Sequence, residues 1–497
     1  MANENPKPRL LAEAGRLIDA NKHAEAIQLL DKNTVIFEGD PVFFNALGVA
    51  LAGNRDHELA VQSFLEAIKL NPLDPIPFAG IGNSLAKNLQ YEEAEKYYRL
   101  SLVVDEHHHD AIVGLGGIYF QKSDYEECEA LFKEALQQRP TSAVVLTNLA
   151  NTYSAQGRQR EAIPLLEKAI EHHRGHCQAH MNLGLIGLGM RQFETGWDHY
   201  EYRFHEDNFI KERFQSITRW QGPTGKKANI LVWAEQGVGD ELMFASIFQD
   251  LIALDEQFVI ESDRRLVPLF QNAFPTLHFI ERHRIKEYEG IDYQISSASL
   301  GSVFRRSLDK FPKTHTGYLA PAGPTLKGPT EEMLSSLPRP WIGVSWASYA
   351  LTENFRNRKS IPPEQFSLLT RNFQGSFINL QFPNPHAHEV PREQPLPDQI
   401  STLAHLDLKN DLCGLAHLVS KMDHVITIGN SVAHLCGALG VPTKTLLPKV
   451  ADWRWGFEGD RSAWYPSMTL LRNTHPTDWT ELLTNLRKEI DRDYTKA

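Results

Sequence analysis

A chain of 497 residues exceeds what one hydrophobic core supports, so two or more domains are expected. With 42% hydrophobic and 23% charged residues, the composition is that of an ordinary globular protein. A net charge of −11 argues against general affinity for nucleic acid, which requires a basic face.

In chain order, the opening MANENPKPRLL lacks the apolar core of a secretory signal, and no later run approaches membrane-spanning length. The four cysteines (Cys128, Cys177, Cys413 and Cys436) form neither a CxxC pair nor a zinc pattern, which fits a cytoplasmic protein with buried thiols. The pattern then becomes periodic. Gly48, Gly82, Gly116, Ala150 and Gly184 stand 34 apart, as do Ala60, Ala94, Cys128, Ala162 and Gly196. Phe64, Tyr98, Phe132, Leu166 and Tyr200 keep the same step, and Pro72 and Pro140 sit where the second helix of a repeat stops. Small residues let paired helices approach, and the large residue fills the gap between repeats. This array resembles the tetratricopeptide repeat. An α superhelix of about six repeats is expected over 7–204, its degenerate first repeat carrying Ala26 at the small position. Asn148 and Asn182 occupy equivalent repeat positions, and Asn83 and Asn151 share the position three further on. In the groove of such an array asparagines hydrogen-bond an extended peptide, so Asn148 and Asn182 are candidate acceptor-binding residues; asparagines that simply meet water are the plain alternative.

A connector, 205–228, precedes a change of pattern. NILVWA (229–234) reads as a buried strand, GVGD (237–240) follows it, and ELMFASIFQDLIALD has helical periodicity. FVIE (258–261), LHFI (277–280) and YQIS (293–296) are further strands. After LAPAGPTLKGPT (319–330) the alternation restarts with IGVSWA (342–347), FINLQ (377–381), HVITIG (424–429) and TKTLL (443–447). Strands alternating with helices predict an α/β fold: two Rossmann-like halves, 229–322 and 340–490, facing across a cleft. Ligands in such folds sit at strand carboxyl ends.

Four segments carry candidate chemistry. GVGD lacks the full GxGxxG, so no dinucleotide cofactor is indicated; Gly237 and Gly239 permit a tight turn with close backbone approach to a ligand. Asp240 has two readings, an N-cap or a general base facing the cleft. In GNSVAHLCGALG (429–440) a helix opens around Ser431, where N–H groups and a hydroxyl suit a diphosphate. His434, one turn in, is either a donor to an oxygen or a buried core histidine. In RNRKSIPPEQF (356–366) Arg356, Arg358 and Lys359 precede a helix start at Pro362/Pro363. These cations form a solvated loop or neutralise charge on a leaving nucleotide. In DWRWGFEGDRSAWYP (452–466) Trp453 and Trp455 either stack on a base or sugar or fill a gap between domains.

GVGDELMFAS, the basic stretch before SIPPEQF, SVAHLCGALGVP and DWRWG…SAWYP occur in an order that resembles bacterial proteins joining tetratricopeptide repeats to a glycosyltransferase domain. That domain is similar to the heptosyltransferases of glycosyltransferase family 9, which have the GT-B fold. The architecture also resembles O-linked N-acetylglucosamine transferases and repeat-bearing flagellin glycosyltransferases, where repeats recruit a protein acceptor. The resemblance covers essentially the whole chain. It implies Asp240 as catalytic base, Lys359 beside the donor phosphates, and Ser431, Val432, Ala433 and His434 as the donor cradle; Gly237, Gly239 and Asn430 are further candidate donor-binding residues. One departure is Gly429, where the family usually has an acidic residue. The implied transfer is metal-independent, and Asp491-Arg492-Asp493, in a charged tail expected to lie outside the fold, reads as a coincidental DxD. The expected function is sugar transfer from a nucleotide-sugar donor to a protein, flagellin being one candidate. A lipid or saccharide acceptor, and a non-enzymatic scaffold with a decayed transferase domain, are the rivals. Self-association through the repeats stays open.

Overall fold

In the first part of the chain, glycine and aromatic rings meet at a fixed spacing. A Cβ on Gly48 would lie 2.6 Å from the Phe64 ring, one on Gly82 2.6 Å from Tyr98, and one on Gly116 2.7 Å from Phe132. The following repeat presses on the same rings, because a Cβ on Gly80 would come 2.5 Å from Phe64 and one on Gly114 2.3 Å from Tyr98. Phe64 and Tyr98 are therefore clamped between their own repeat and the next, which is how stacked helix pairs bury a continuous core. The helices are α1 (Lys7–Asp19), α2 (His23–Asp31), α3 (Pro41–Gly53), α4 (His57–Leu70), α5 (Ile76–Lys87) and α6 (Tyr91–Val104). They continue as α7 (His109–Lys122), α8 (Tyr125–Gln138), α9 (Ala143–Ala155), α10 (Gln159–His172), α11 (Cys177–Gly189) and α12 (Phe193–Tyr200). Asp40 and Ser142 start α3 and α9 by accepting the N–H of Val42 and Val145. Cys128 occupies one of the small positions, buried and free.

The computed structural model describes residues 6–205, 211–283, 290–323, 326, 328–348, 359–382, 399–403 and 405–494. The chain divides into two compact units, 1–179 and 180–497. The last helix pair, counted with the array by its spacing, is thus largely part of the second unit. There Trp197 is fully buried, its indole N–H donates to Arg305 O at 2.9 Å, and Asp198 pairs with Arg306 at 2.9 Å.

Apolar, β-branched runs form two parallel sheets in this second unit. β1 (Asn229–Trp233), β2 (Gln257–Ser262), β3 (His278–Glu281) and β4 (Tyr293–Ser296) lie in the order β3-β2-β1-β4. β5 (Trp341–Ser345), β6 (Ser376–Asn379), β7 (Ile400–Ser401), β8 (His424–Ile428), β9 (Thr443–Leu447) and β10 (Met468–Arg472) lie in the order β10-β9-β8-β5-β6-β7. Read from β7 and counted from β5 as first strand, that is 3-2-1-4-5-6, the doubly wound order. In both sheets the order reverses beside the first strand, at β1/β4 and β5/β8, and ligands bind at such switch points.

One expectation is corrected. The terminal segment is not a tail: the helix Thr480–Tyr494 buries Leu483, Leu486 and Ile490 and packs on the helix Pro363–Thr370. Asp491, within it, accepts from Arg487 Nε at 2.9 Å. The described part of the connector packs on β4: Trp220 is buried and its backbone N–H donates to Gln294 O at 2.8 Å.

Candidate functional site

β1 runs out through Glu235 and Gln236 into helix α13 (Val238–Phe244). Gly237 is the N-cap of that helix, with φ −85° and ψ 174°, a conformation any residue adopts. Asp240 therefore stands in the first turn and not at the cap, which corrects the N-cap reading. Its carboxylate turns away from the helix end and accepts Arg454 Nε–H at 2.6 Å. Gly239 is needed for close packing: a Cβ there would come 3.0 Å from His434 Cδ2 and 3.6 Å from Ser431 Oγ. The glycine lets α13 meet the helix Ser431–Leu439, so the close approach is to another helix.

Beyond β8, Asn430 caps that second helix. Its Oδ1 accepts from Val432 N–H at 3.0 Å and Ala433 N–H at 3.3 Å, while Nδ2 donates to Ser345 Oγ at 2.8 Å, at the end of β5. The expected diphosphate cradle is thus partly taken up by the protein's own amide, which leaves the Ser431 hydroxyl at the helix opening. His434 is 5% exposed, hydrogen-bonds through Nδ1 with Tyr465 OH at 2.8 Å, and stacks on Trp455 at 4.7 Å. Burial, and then Arg454, push its pKa down to about 3, so the ring is neutral. Of its two readings, the structure shows the buried histidine.

Trp453 and Trp455 are buried. Trp453 packs against Trp197 and Tyr200 at 5.9 and 5.8 Å. A Cβ on Gly429 would lie 2.5 Å from Trp455 Nε1. The indole thus fills the place where an acidic side chain is usual in the resembling family, and the stacking expectation for both tryptophans gives way to packing.

Arg454 ties this loop to the first sheet. Besides Asp240, it donates through Nη1 to Asp452 Oδ1 at 2.8 Å and through Nη2 to Gln236 Oε1 at 2.9 Å. Lys359 Nζ lies 3.8 Å from Asp452 Oδ2, which joins the basic stretch to the cluster. Arg356 and Arg358 lie outside the described residues. Burial raises the Asp240 pKa, against the pull of Arg454, and Asp452 and Glu235 raise it further. Burial acts in the same direction on Asp452, but Arg454 and Lys359 outweigh it and hold that carboxyl below its ordinary range. Neither Arg454 nor Asp452 was singled out in the sequence; their signal was the density of the DWRWG run, without its partners.

Further charges line the ends of β1 to β3. Buried Arg203 pairs with Glu235 at 3.1 Å, Tyr200 OH accepts from Gln236 Nε2 at 2.5 Å, and Arg282 donates to Gln236 O at 2.8 Å. Buried Glu241 accepts from Ser262 Oγ at 2.5 Å and Asp263 N–H at 2.9 Å, and burial pushes its pKa up to about 7. Among the described residues, no three His, Cys, Asp or Glu side chains converge to hold a metal ion. No described helix is long and apolar enough to cross a membrane. Asn148 and Asn182 are half-buried on α9 and α11, and Asn83 accepts from Tyr98 OH at 2.8 Å.

Tetratricopeptide-repeat models match residues 43–72 and 108–174. Protein FlbA of Caulobacter vibrioides is 29% identical over 303 residues, covering 57% of this chain and 50% of its own. The chain spans about half the length of that curated relative. Among solved structures, the APC/C hetero-tetramer Cut9–Hcn1 has a TM-score of 0.39 at 18% identity over 41% of each chain. A thermophilic TPR protein of Thermus thermophilus has a TM-score of 0.34 at 17% identity over 36% of this chain and 98% of its own. The molecule is thus an N-terminal superhelix of tetratricopeptide repeats, which suggests protein-interaction scaffolding, followed by an α/β region of parallel sheets and helices.

Proposed function

We propose that the second unit is a metal-independent glycosyltransferase of GT-B type, which moves a sugar from a nucleotide-sugar donor onto a hydroxyl of a protein recruited by the repeats. One observation carries the reading: Asp240 after β1 and Lys359 after β5 are linked through Arg454 and Asp452, while Asn430 after β8 bonds to Ser345 at the end of β5. The acceptor oxygen attacks the anomeric carbon while the bond from that carbon to the diphosphate oxygen breaks. The electron pair leaves with the diphosphate, and the acceptor proton passes to Asp240. A buried carboxylate with a raised pKa suits that task. Lys359, Arg454 and the Ser431 hydroxyl offset the charge that develops on the leaving nucleotide.

A second reading, a scaffold whose transferase unit no longer turns over, is favoured by Trp455 filling the space beside Gly429. Thermal shift against nucleotides and nucleotide sugars, followed by transfer of labelled sugar, separates the two. A true donor at a hundred times its Kd stabilises by about 2.7 kcal/mol. Stabilisation without transfer favours the scaffold, and no stabilisation by any nucleotide sugar overturns the transferase. Transfer should also survive EDTA; activity lost on chelation and restored by manganese overturns the metal-independent step.

A further inference from the structure

Arg454 is the group in this cluster whose bonds conflict with its proposed surroundings. Its guanidinium meets Asp240 Oδ1 at 2.6 Å, Asp452 Oδ1 at 2.8 Å and Gln236 Oε1 at 2.9 Å, so every nitrogen of the fork is engaged by the protein. Lys359 lies 3.8 Å from the other oxygen of Asp452. Two cations and two carboxylates therefore balance. A diphosphate entering beside them brings negative charge that, among the described residues of this cluster, is offset only if a cation changes partner. The planar fork of arginine suits phosphate oxygens better than an ammonium does, and Arg454 keeps Asp452 as an anchor while it turns. A carboxylate covered by a guanidinium is also a poor acceptor for a hydroxyl proton.

We infer that Arg454 is a donor-phosphate ligand that exchanges its bond to Asp240 for the diphosphate, so that the base is uncovered as the donor is seated. The inference rests on the transferase reading. It assigns Arg454 two duties, binding donor phosphate and restraining Asp240 until that phosphate arrives. Donor then binds before acceptor, and Asp240 is kept from activating water ahead of the donor.

The test uses calorimetry on the full chain, with inorganic pyrophosphate and with uridine, guanosine, adenosine and thymidine diphosphates as probes. Arg454→Gln should bind the preferred probe about tenfold more weakly, as expected for loss of a charge-assisted bond. Asp240→Asn should bind it several-fold more tightly, because the guanidinium no longer has to leave a carboxylate. The double variant should bind like Arg454→Gln. Thermal melts check folding, and Arg454→Lys, which keeps the charge and loses the fork, should give a smaller weakening and covers the case that glutamine unfolds the loop. A purely structural Arg454 gives no gain in Asp240→Asn, and that result overturns the inference, as does unchanged affinity in Arg454→Gln. Wild-type protein that binds none of the probes removes the transferase reading itself, and the inference falls with it by a visibly different result.

Discussion

The two units use aromatic residues in opposite ways. In residues 1–179, Phe64 and Tyr98 each fill a slot built by glycines of two successive repeats, and every partner lies within a repeat length. In residues 180–497, rings flank charges: Trp455 covers His434, Trp453 lies under Arg454, and Tyr200 takes Gln236. There the decisive bonds join distant positions, Arg454 to Asp240 across 214 residues and to Gln236 across 218. The difference shows where chemistry concentrates. Repeated local contacts make a surface on which binding spreads over many side chains. A single long-range convergence puts opposed charges in one place and perturbs their acidity.

The largest effect expected from this contrast is on catalysis. Asp240→Asn keeps the shape of the side chain and removes a proton acceptor, so kcat for transfer should fall by about 10²–10⁴-fold with little change in melting temperature. Normal turnover in this variant would end the assignment of a base to α13. In the repeats, the matching experiment is structural. Phe132→Ala empties one slot and should cost about 3–5 kcal/mol in urea unfolding, while donor affinity stays as it was. A cost below about 1 kcal/mol would show that the rings do not hold the stack together.

Glu241 sharpens the comparison through pH. Its folded pKa is raised by burial from an ordinary 4.5 to about 7, so the folded chain holds a proton that the unfolded chain has lost between those values. Stability contributed by this group is therefore highest below pH 4.5, falls as pH rises to about 7, and is level above it. The shift corresponds to on the order of 3 kcal/mol. Glu241→Gln stays neutral, so relative to wild type it should gain stability at pH 8, by up to about 3 kcal/mol, and gain nothing at pH 4. Parallel stability curves for the two proteins across that range would show that Glu241 is charged and well solvated at neutral pH.

What could be read from sequence follows the same division. The repeats were legible because their packing rule recurs: the glycine at 48, 82 and 116 meets the ring sixteen positions later each time. Strands β1 to β6, β8 and β9 were legible as apolar runs, while the two-residue β7, β10 and the terminal helix were not, since MTLLR and TELLTNLRKEIDRDY look like a charged end until the elements they pack on are known. At the site, the strand-end loops could be found but not what their side chains hold. Trp455 over Gly429 and Arg454 on Asp240 are pairings across the fold, and spacing along the chain carries no record of them, whereas Asn430 caps its own helix through local bonds to Val432 and Ala433.

The smallest expected effect lies where the repeats meet an acceptor. Asn148 is half-buried on α9, while Asn182 already has a partner within the protein, so Asn148→Ala is the cleaner probe. One net hydrogen bond contributes about 1 kcal/mol, and transfer to a full-length acceptor protein should weaken by about fivefold. Donor hydrolysis by water in the same variant should not change, because every phosphate-suited motif lies after residue 229. Asn83→Ala is the control that separates recognition from support. Asn83 accepts from Tyr98 OH, so its loss should lower stability by about 1 kcal/mol without a selective loss of acceptor transfer. If transfer and hydrolysis fall together in Asn148→Ala, the repeats support the fold of the second unit. If neither falls, the groove does not read its acceptor through this asparagine, and assembly becomes the better account of the array.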